Sequence, residues 1–113
     1  MKKSKLPVHE MSSGNIFADL ALPNAEELLL KARIVSEIGD VMKWRKLTQS
    51  KVAALTGTAQ PHLSNLLRGR FRGLSIERLM HMLNALGRDV EVVTRPAPRS
   101  RKHGGISFRS EAA

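Results

Sequence analysis

Apolar positions in this chain recur at a helical spacing over most of its length and at a strand spacing over one short stretch. From Asn24 to about Arg45, Leu28, Ala32, Val35, Ile38 and Met42 return every three or four residues, the period of a helix that buries one stripe. Leu29, Leu30, Ile34 and Val41 widen that stripe beyond what one small core needs, so a second contact with another subunit or a partner is expected. Asn24 is suited to cap this helix, with Glu27 as its capping-box partner and Glu26 in the positive first turn. Leu47 to Gly69 reads as two short helices around a tight turn. Thr48 caps the first, Val52, Ala53 and Leu55 supply its apolar positions, and Gly57 ends it because glycine accepts a left-handed conformation. The second begins after Thr58 and Ala59, with Pro61 tolerated in its first turn where an amide hydrogen has no intrahelical partner. Leu63, Leu66 and Leu67 then face inward and leave Gln60, Pro61, His62 and Asn65 outside.

A further helix is capped by Ser75, carries Ile76, Leu79, Met80, Leu83 and Leu86, and closes at Gly87. From Asp89 to Thr94 the period drops to two, with Val90 and Val92 on one side and Glu91 and Val93 on the other. A lone strand has no ladder partner of its own. Val90, Val92 and Val93 are therefore expected to pair with a second copy across a two-fold axis. The predicted fold class is all-α with this one C-terminal strand.

The outlying segments read differently. Residues 1–14 are basic and polar and end in Ser12, Ser13 and Gly14, the composition of a disordered arm. Ile16, Phe17, Leu20 and Leu22 precede Pro23 and form either a short anchor over the core or part of a protein-binding surface. Trp44 is expected to pack beneath the following helix, and Phe71 to plug the core. Pro96 and Pro98 stop the strand, and residues 96–113 read as a second disordered, basic tail that can add nonspecific affinity for nucleic acid or only solubility. The folded domain is thus expected over 15–95.

Composition narrows the function. A chain of 113 residues buries a marginal core unless a second chain adds to it. The net charge of +9 suggests a polyanionic partner, and its location says more than its sum. Between residues 48 and 74, Lys51, Arg68, Arg70 and Arg72 face no acidic residue, a net of +4. There is no cysteine, hence no disulfide and no thiolate metal site. The basic start is not followed by the apolar stretch of a signal peptide, and no run is long enough to span a membrane, so a cytoplasmic protein is expected. His9, His62, His81 and His103 lack metal-ligand spacing, and no catalytic grouping of Ser, His and carboxylates is visible. Neither enzyme activity nor a cofactor or metal is expected.

The outward residues have a chemistry of their own. Side-chain amides such as those of Gln60 and Asn65 can pair with adenine at both donor and acceptor, and with Pro61 and His62 they form a small polar surface that fits a major groove. Gln49, at the start of the first short helix, can meet a phosphate there, next to Thr48. Arg68, Arg70 and Arg72 alternate in a glycine-flanked loop that can reach phosphates from several angles, with Ser64 alongside.

Thr48, Gln49, Ala53, Gly57, Gln60, Leu63, Ser64 and Gly69 together resemble the Xre-type helix-turn-helix of phage repressors and bacterial regulators. The extensions LLRGRFRGLSIERLMHMLNALGRDVEVV and NIFADLALPNAEELLLKA are similar to the HigA-like antitoxin branch, so the resemblance spans about residues 15–95. Two positions depart from the family pattern. Ala59 stands where a Ser, Thr or Asp cap is usual, and Thr58 where an apolar residue is common. The resemblance implies a five-helix-like domain, dimeric, that binds double-stranded operator DNA. It further implies an antitoxin that neutralises a RelE/HigB-like ribonuclease toxin and represses its own operon. A solitary phage-type repressor, or a protein-interaction module that has lost DNA binding, would share the same pattern.

Overall fold

The longest helix packs against two of the three that follow it. In the computed structural model, which describes residues 24–111, this is α1 (Ala25–Arg45), followed by α2 (Gln49–Thr56), α3 (Gln60–Leu67) and α4 (Ile76–Ala85). α1 packs on α3 and α4, and α2 packs on the same two. The described residues thus hold four helices, not five. The segment expected as an anchor, Ile16 to Leu22, and the arm 1–14 lie outside them.

Two sides of α1 are used, one towards α3 and one towards α4. Ile34, Ile38 and Val41 are nearly inaccessible, and they join Val52, Leu63, Leu66, Leu79, Met82 and Leu86 in one core. Ile34 and Val41 are therefore core residues and not surplus surface, because α3 and α4 approach α1 from different directions and ask for a wide stripe. Leu30, Ala32 and Met42 pack at the edge of this core. Phe71 is buried in it, as a plug from the loop after α3.

Asn24 does precede α1, but it adopts a left-handed backbone (φ 56°, ψ 39°) and its side chain makes no cap hydrogen bond. The expected capping box is absent because the reciprocal bond needs an extended cap residue, and Glu27 turns forward to Lys31 instead, at 3.2 Å. Lys31 is itself buried and donates from Nζ to the Arg72 carbonyl at 2.9 Å. One ammonium group thus ties the start of α1 to the loop beyond α3.

At the other end, Arg45 donates to the Leu86 carbonyl at 2.7 Å, and Gly87 turns the chain with φ 89° so that the Arg88 amide reaches back to Leu83. The Arg88 guanidinium then meets the buried Glu37 carboxylate at 3.1 Å and lies 5.8 Å from the centre of the Trp44 ring. Trp44 is 49% exposed rather than packed beneath α2. Its ring is covered by a cation from the α4 side, a contact that the helical period could not indicate.

The strand expected over Asp89–Thr94 is not formed. Residues 88–98 have no regular secondary structure, and Val92 and Val93 are 78% and 61% exposed. An isolated extended segment offers its amides nothing to pair with, so a single chain cannot satisfy a ladder there. The segment expected as a free tail also lacks regular structure, yet it turns at Pro98–Arg101 and returns to the body, where Phe108 packs partly on the core.

Breaking the Glu37–Arg88 pair from the arginine side should be costly, since a buried carboxylate is left without its partner. Arg88→Met is expected to lower stability by about 3 kcal/mol in urea unfolding. The double change Glu37→Gln with Arg88→Met should recover part of that loss, and equal stabilities for the two variants would show that the pair does not carry it.

Candidate nucleic-acid interface

The geometry of α2 and α3 begins with the cap and the turn. Thr48 accepts a hydrogen bond from the Lys51 amide at 3.1 Å and fixes the start of α2. Gly57 ends the helix with φ 68°, and the next amide, that of Thr58, returns to the Ala53 carbonyl at 3.1 Å. The turn is then clasped from α4. Arg78 donates from Nη2 to the Thr56 carbonyl at 3.2 Å and to Thr58 Oγ1 at 2.9 Å, with the Gly57 carbonyl at 3.5 Å. Thr58, which departs from the family pattern in its polarity, is the residue whose hydroxyl receives this arginine.

The start of α3 is left open. Ala59 occupies the cap position in an extended conformation and offers no side-chain acceptor, while Pro61 removes one amide hydrogen from the first turn. Leu63 and Leu66 are fully buried, which fixes the rotation of the helix. Gln60, Pro61 and His62 are consequently exposed together, whereas Ser64 and Asn65 are half-buried one turn further on. The four residues expected to face outward do not form a uniform set.

Asn65 is engaged in organising the loop that follows. Its carbonyl accepts from the Arg68 amide at 3.1 Å and the Arg70 amide at 2.9 Å. Its side-chain Oδ1 accepts from Arg68 Nη2 at 3.1 Å and lies 3.4 Å from Arg70 Nη1. Two guanidinium groups are thereby drawn to the end of α3, and the φ of 98° at Gly69 lets the chain turn between them. Arg68, Arg70 and Arg72 are all exposed, and the Arg72 carbonyl is the one held by Lys31. Thr48 and Gln49 are exposed at the start of α2. An open groove of about 330 Å³ separates the turn from this loop, lined by Gly57, Thr58, Ala59, His62, Asn65, Arg70, Gly73, Leu74 and Arg78.

Two residues that shape this face carry no sign of it in the sequence. Arg78 is a charged residue on the polar side of an amphipathic helix, where a solvated role is the ordinary expectation, and Lys31 sits one turn after Glu27 as in any surface ion pair. Only the turn packed against α4 and the loop packed against α1 reveal what each one holds.

Two short helices joined by a tight turn, with the second exposing a polar face beside a basic loop, are the architecture of a DNA-reading motif. A family model described as a helix-turn-helix domain matches residues 16–95. A solved structure named "Putative XRE Family Transcriptional Regulator" is 42% identical, with a TM-score of 0.73 over 79% of this chain and 100% of its own. The chain belongs to the XRE helix-turn-helix family. It is accordingly a DNA-binding transcriptional regulator and not an enzyme. No protein with a curated description matches the chain. Among the described residues of this XRE protein, no helix is long and apolar enough to cross a membrane.

The Arg78 clasp makes a direct expectation. Arg78→Ala should cost about 1.5–3 kcal/mol in urea unfolding, the range for a hydrogen bond from a charged group. Arg78→Lys should restore only part of it, because all three contacts come from one terminal nitrogen, Nη2, which the shorter lysine stem cannot place as deeply over the turn. Full restoration by lysine would mean that one charged nitrogen is enough to hold the turn without the reach of the guanidinium.

Proposed function

We propose that this protein is a sequence-specific operator-binding repressor, dimeric on DNA, and the antitoxin of a toxin–antitoxin pair. The observation that supports the first part is the position of the exposed α3 residues, between an uncapped helix start and an arginine loop, within a segment that has no acidic side chain. Gln60, Pro61, His62 and Asn65 read base edges in the major groove. Thr48, Gln49, Ser64, Arg68, Arg70 and Arg72 hold the sugar–phosphate backbone, where a nearby helix N-terminus also favours negative charge. Because Asn65 already accepts from two arginines, its free amide NH₂ is the group left to offer a base, and an arginine that swings to a phosphate would release its oxygen as well.

The dimer supports two recognition helices at once. Val90, Val92 and Val93 stand at the surface of the single chain, 36%, 78% and 61% exposed, and pairing 89–94 with a second copy would cover them and complete the ladder. The operator is then an inverted repeat with half-sites about 34–36 Å apart, or a multiple of that spacing.

The antitoxin reading rests on the resemblance to the HigA-like branch and on the apolar residues left over from the core. Of those, Ile34 is buried and drops out, Leu30 is partly used by the core, and Leu29 stays half-exposed. Ile16, Phe17 and Leu20 lie outside the described residues and complete the surface proposed for a RelE/HigB-like ribonuclease toxin.

Base reading and backbone holding should separate in a salt titration against operator and scrambled duplexes. Gln60→Ala should lose about 1–3 kcal/mol on the operator and little on the scrambled duplex. Arg70→Ala should weaken both alike and reduce the salt slope by about 1. Equal losses on both duplexes for all variants would leave only nonspecific binding.

For the toxin, Phe17→Glu combined with Leu29→Glu should abolish rescue of growth from the product of the adjacent reading frame while operator affinity is kept. Rescue that persists in the folded double variant would remove this surface. Absence of any toxin-like neighbour would leave a solitary repressor.

A further inference from the structure

The C-terminal segment makes two kinds of contact that do not match. Residues 89–97 are exposed and, among the described residues, form no hydrogen bond or ion pair. Beyond them the chain is anchored at three points along α1 and its neighbours. The Ile106 amide donates to Glu26 Oε2 at 3.1 Å, Phe108 packs on the core, and Arg88 Nη2 donates to the Glu111 carbonyl at 2.6 Å and lies 3.4 Å from Ser110 Oγ. A specific hook is therefore carried on a connector that gains nothing from its present course.

Pairing of the connector changes which body lies nearest to the hook. In an antiparallel ribbon of 89–94, Thr94 of one chain lies at the end where the other chain's strand begins, next to that chain's Arg88. Its own Arg88 is then about 20 Å behind it, six steps at about 3.3 Å each. Arg88 is one of the three anchors, and Pro96 and Pro98 stiffen the path that leads on from Thr94. Resting on the ribbon dimer proposed above, we infer that the C-terminal hook is exchanged: residues 105–111 of each chain occupy the α1 surface of the second copy, with the same partners that they have within one chain. The exchange keeps every closed contact and adds the ladder, which is the condition under which swapping an element favours a dimer. The Arg88 guanidinium then joins both halves, receiving the second chain's terminus while it holds its own Glu37.

The absence of cysteine allows a clean test. Glu26→Cys and Gly105→Cys are placed on separate chains; a Cβ at Gly105 would lie 3.3 Å from Glu26 Oε2 and otherwise meets only the flexible end of Arg101. Phe108 and the Arg88–Glu111 contact remain to seat the hook. The two full-length variants are co-refolded, treated with a short bis-maleimide, and compared with each variant alone on a denaturing gel and by sedimentation. Exchange requires a covalent product of doubled mass in the mixture, well above that of either variant alone. A dimer in sedimentation with no such excess would overturn the exchange and leave the ribbon standing. A monomer in sedimentation would overturn the ribbon, and the exchange with it. A chain carrying both cysteines gives the complement: linkage without doubling of mass means that the hook closes on its own body.

Discussion

The way α2 leads into α3 depends on how the Gly57 turn is held, and beyond the backbone bonds to the Ala53 carbonyl the hold is a single guanidinium. A glycine with a left-handed backbone permits a sharp turn but does not select one, and its wide freedom in the unfolded chain makes fixing it costly. Arg78 supplies the selection. By bonding a carbonyl on one side of the turn and a hydroxyl on the other, it converts a permissive junction into a defined one, and it does so from α4, whose apolar face is locked into the core by Leu79, Met82 and Leu83. The orientation of α3 is thus set by its own buried leucines, Leu63 and Leu66, and the turn that leads into it is fixed from α4 through one charged side chain.

A similar arrangement governs the basic loop. Three exposed arginines would repel one another if left free, and a loop of this kind loses considerable entropy when it is fixed on a ligand. Here the ordering is done in advance, by Asn65 from the end of α3 and by Lys31 from the start of α1. Both use main-chain or side-chain polarity to position like charges, and both connect the loop to the helices that define the core.

The helices were legible because their signals are local. Thr48, Gly57, Ser75 and Gly87 act through bonds within a few residues, and the apolar spacing of α3 and α4 needs no knowledge of what lies opposite. The readings that failed depended on the far side of a contact. Asn24 has the right side chain for a cap but the wrong backbone, and Trp44 is covered by an arginine forty-four positions away. The width of the α1 stripe looks like a surplus in the sequence because a sequence does not state how many neighbours a helix has. The strand period over 89–94 is real as a pattern, and a pattern of that kind states a need for a partner without supplying one. For the candidate site the outward set was legible in Gln60, Pro61 and His62, whereas the engagement of Asn65 with the arginines was visible only once the loop had folded back on it.

The junction after α4 leaves little room for change. Gly87 has a φ of 89°, and a side chain added there would come within 3.3 Å of the Arg45 guanidinium that caps the helix. Any larger residue would be strained in the backbone and would press on the one group that could move aside, which is itself committed to the Leu86 carbonyl. A mutational library over this chain should therefore favour glycine at position 87, as at Gly57 and Gly69, while neighbouring Arg88 and Asp89 are sorted by different pressures, and the constraint at Gly87 marks where the folded body passes into its C-terminal extension.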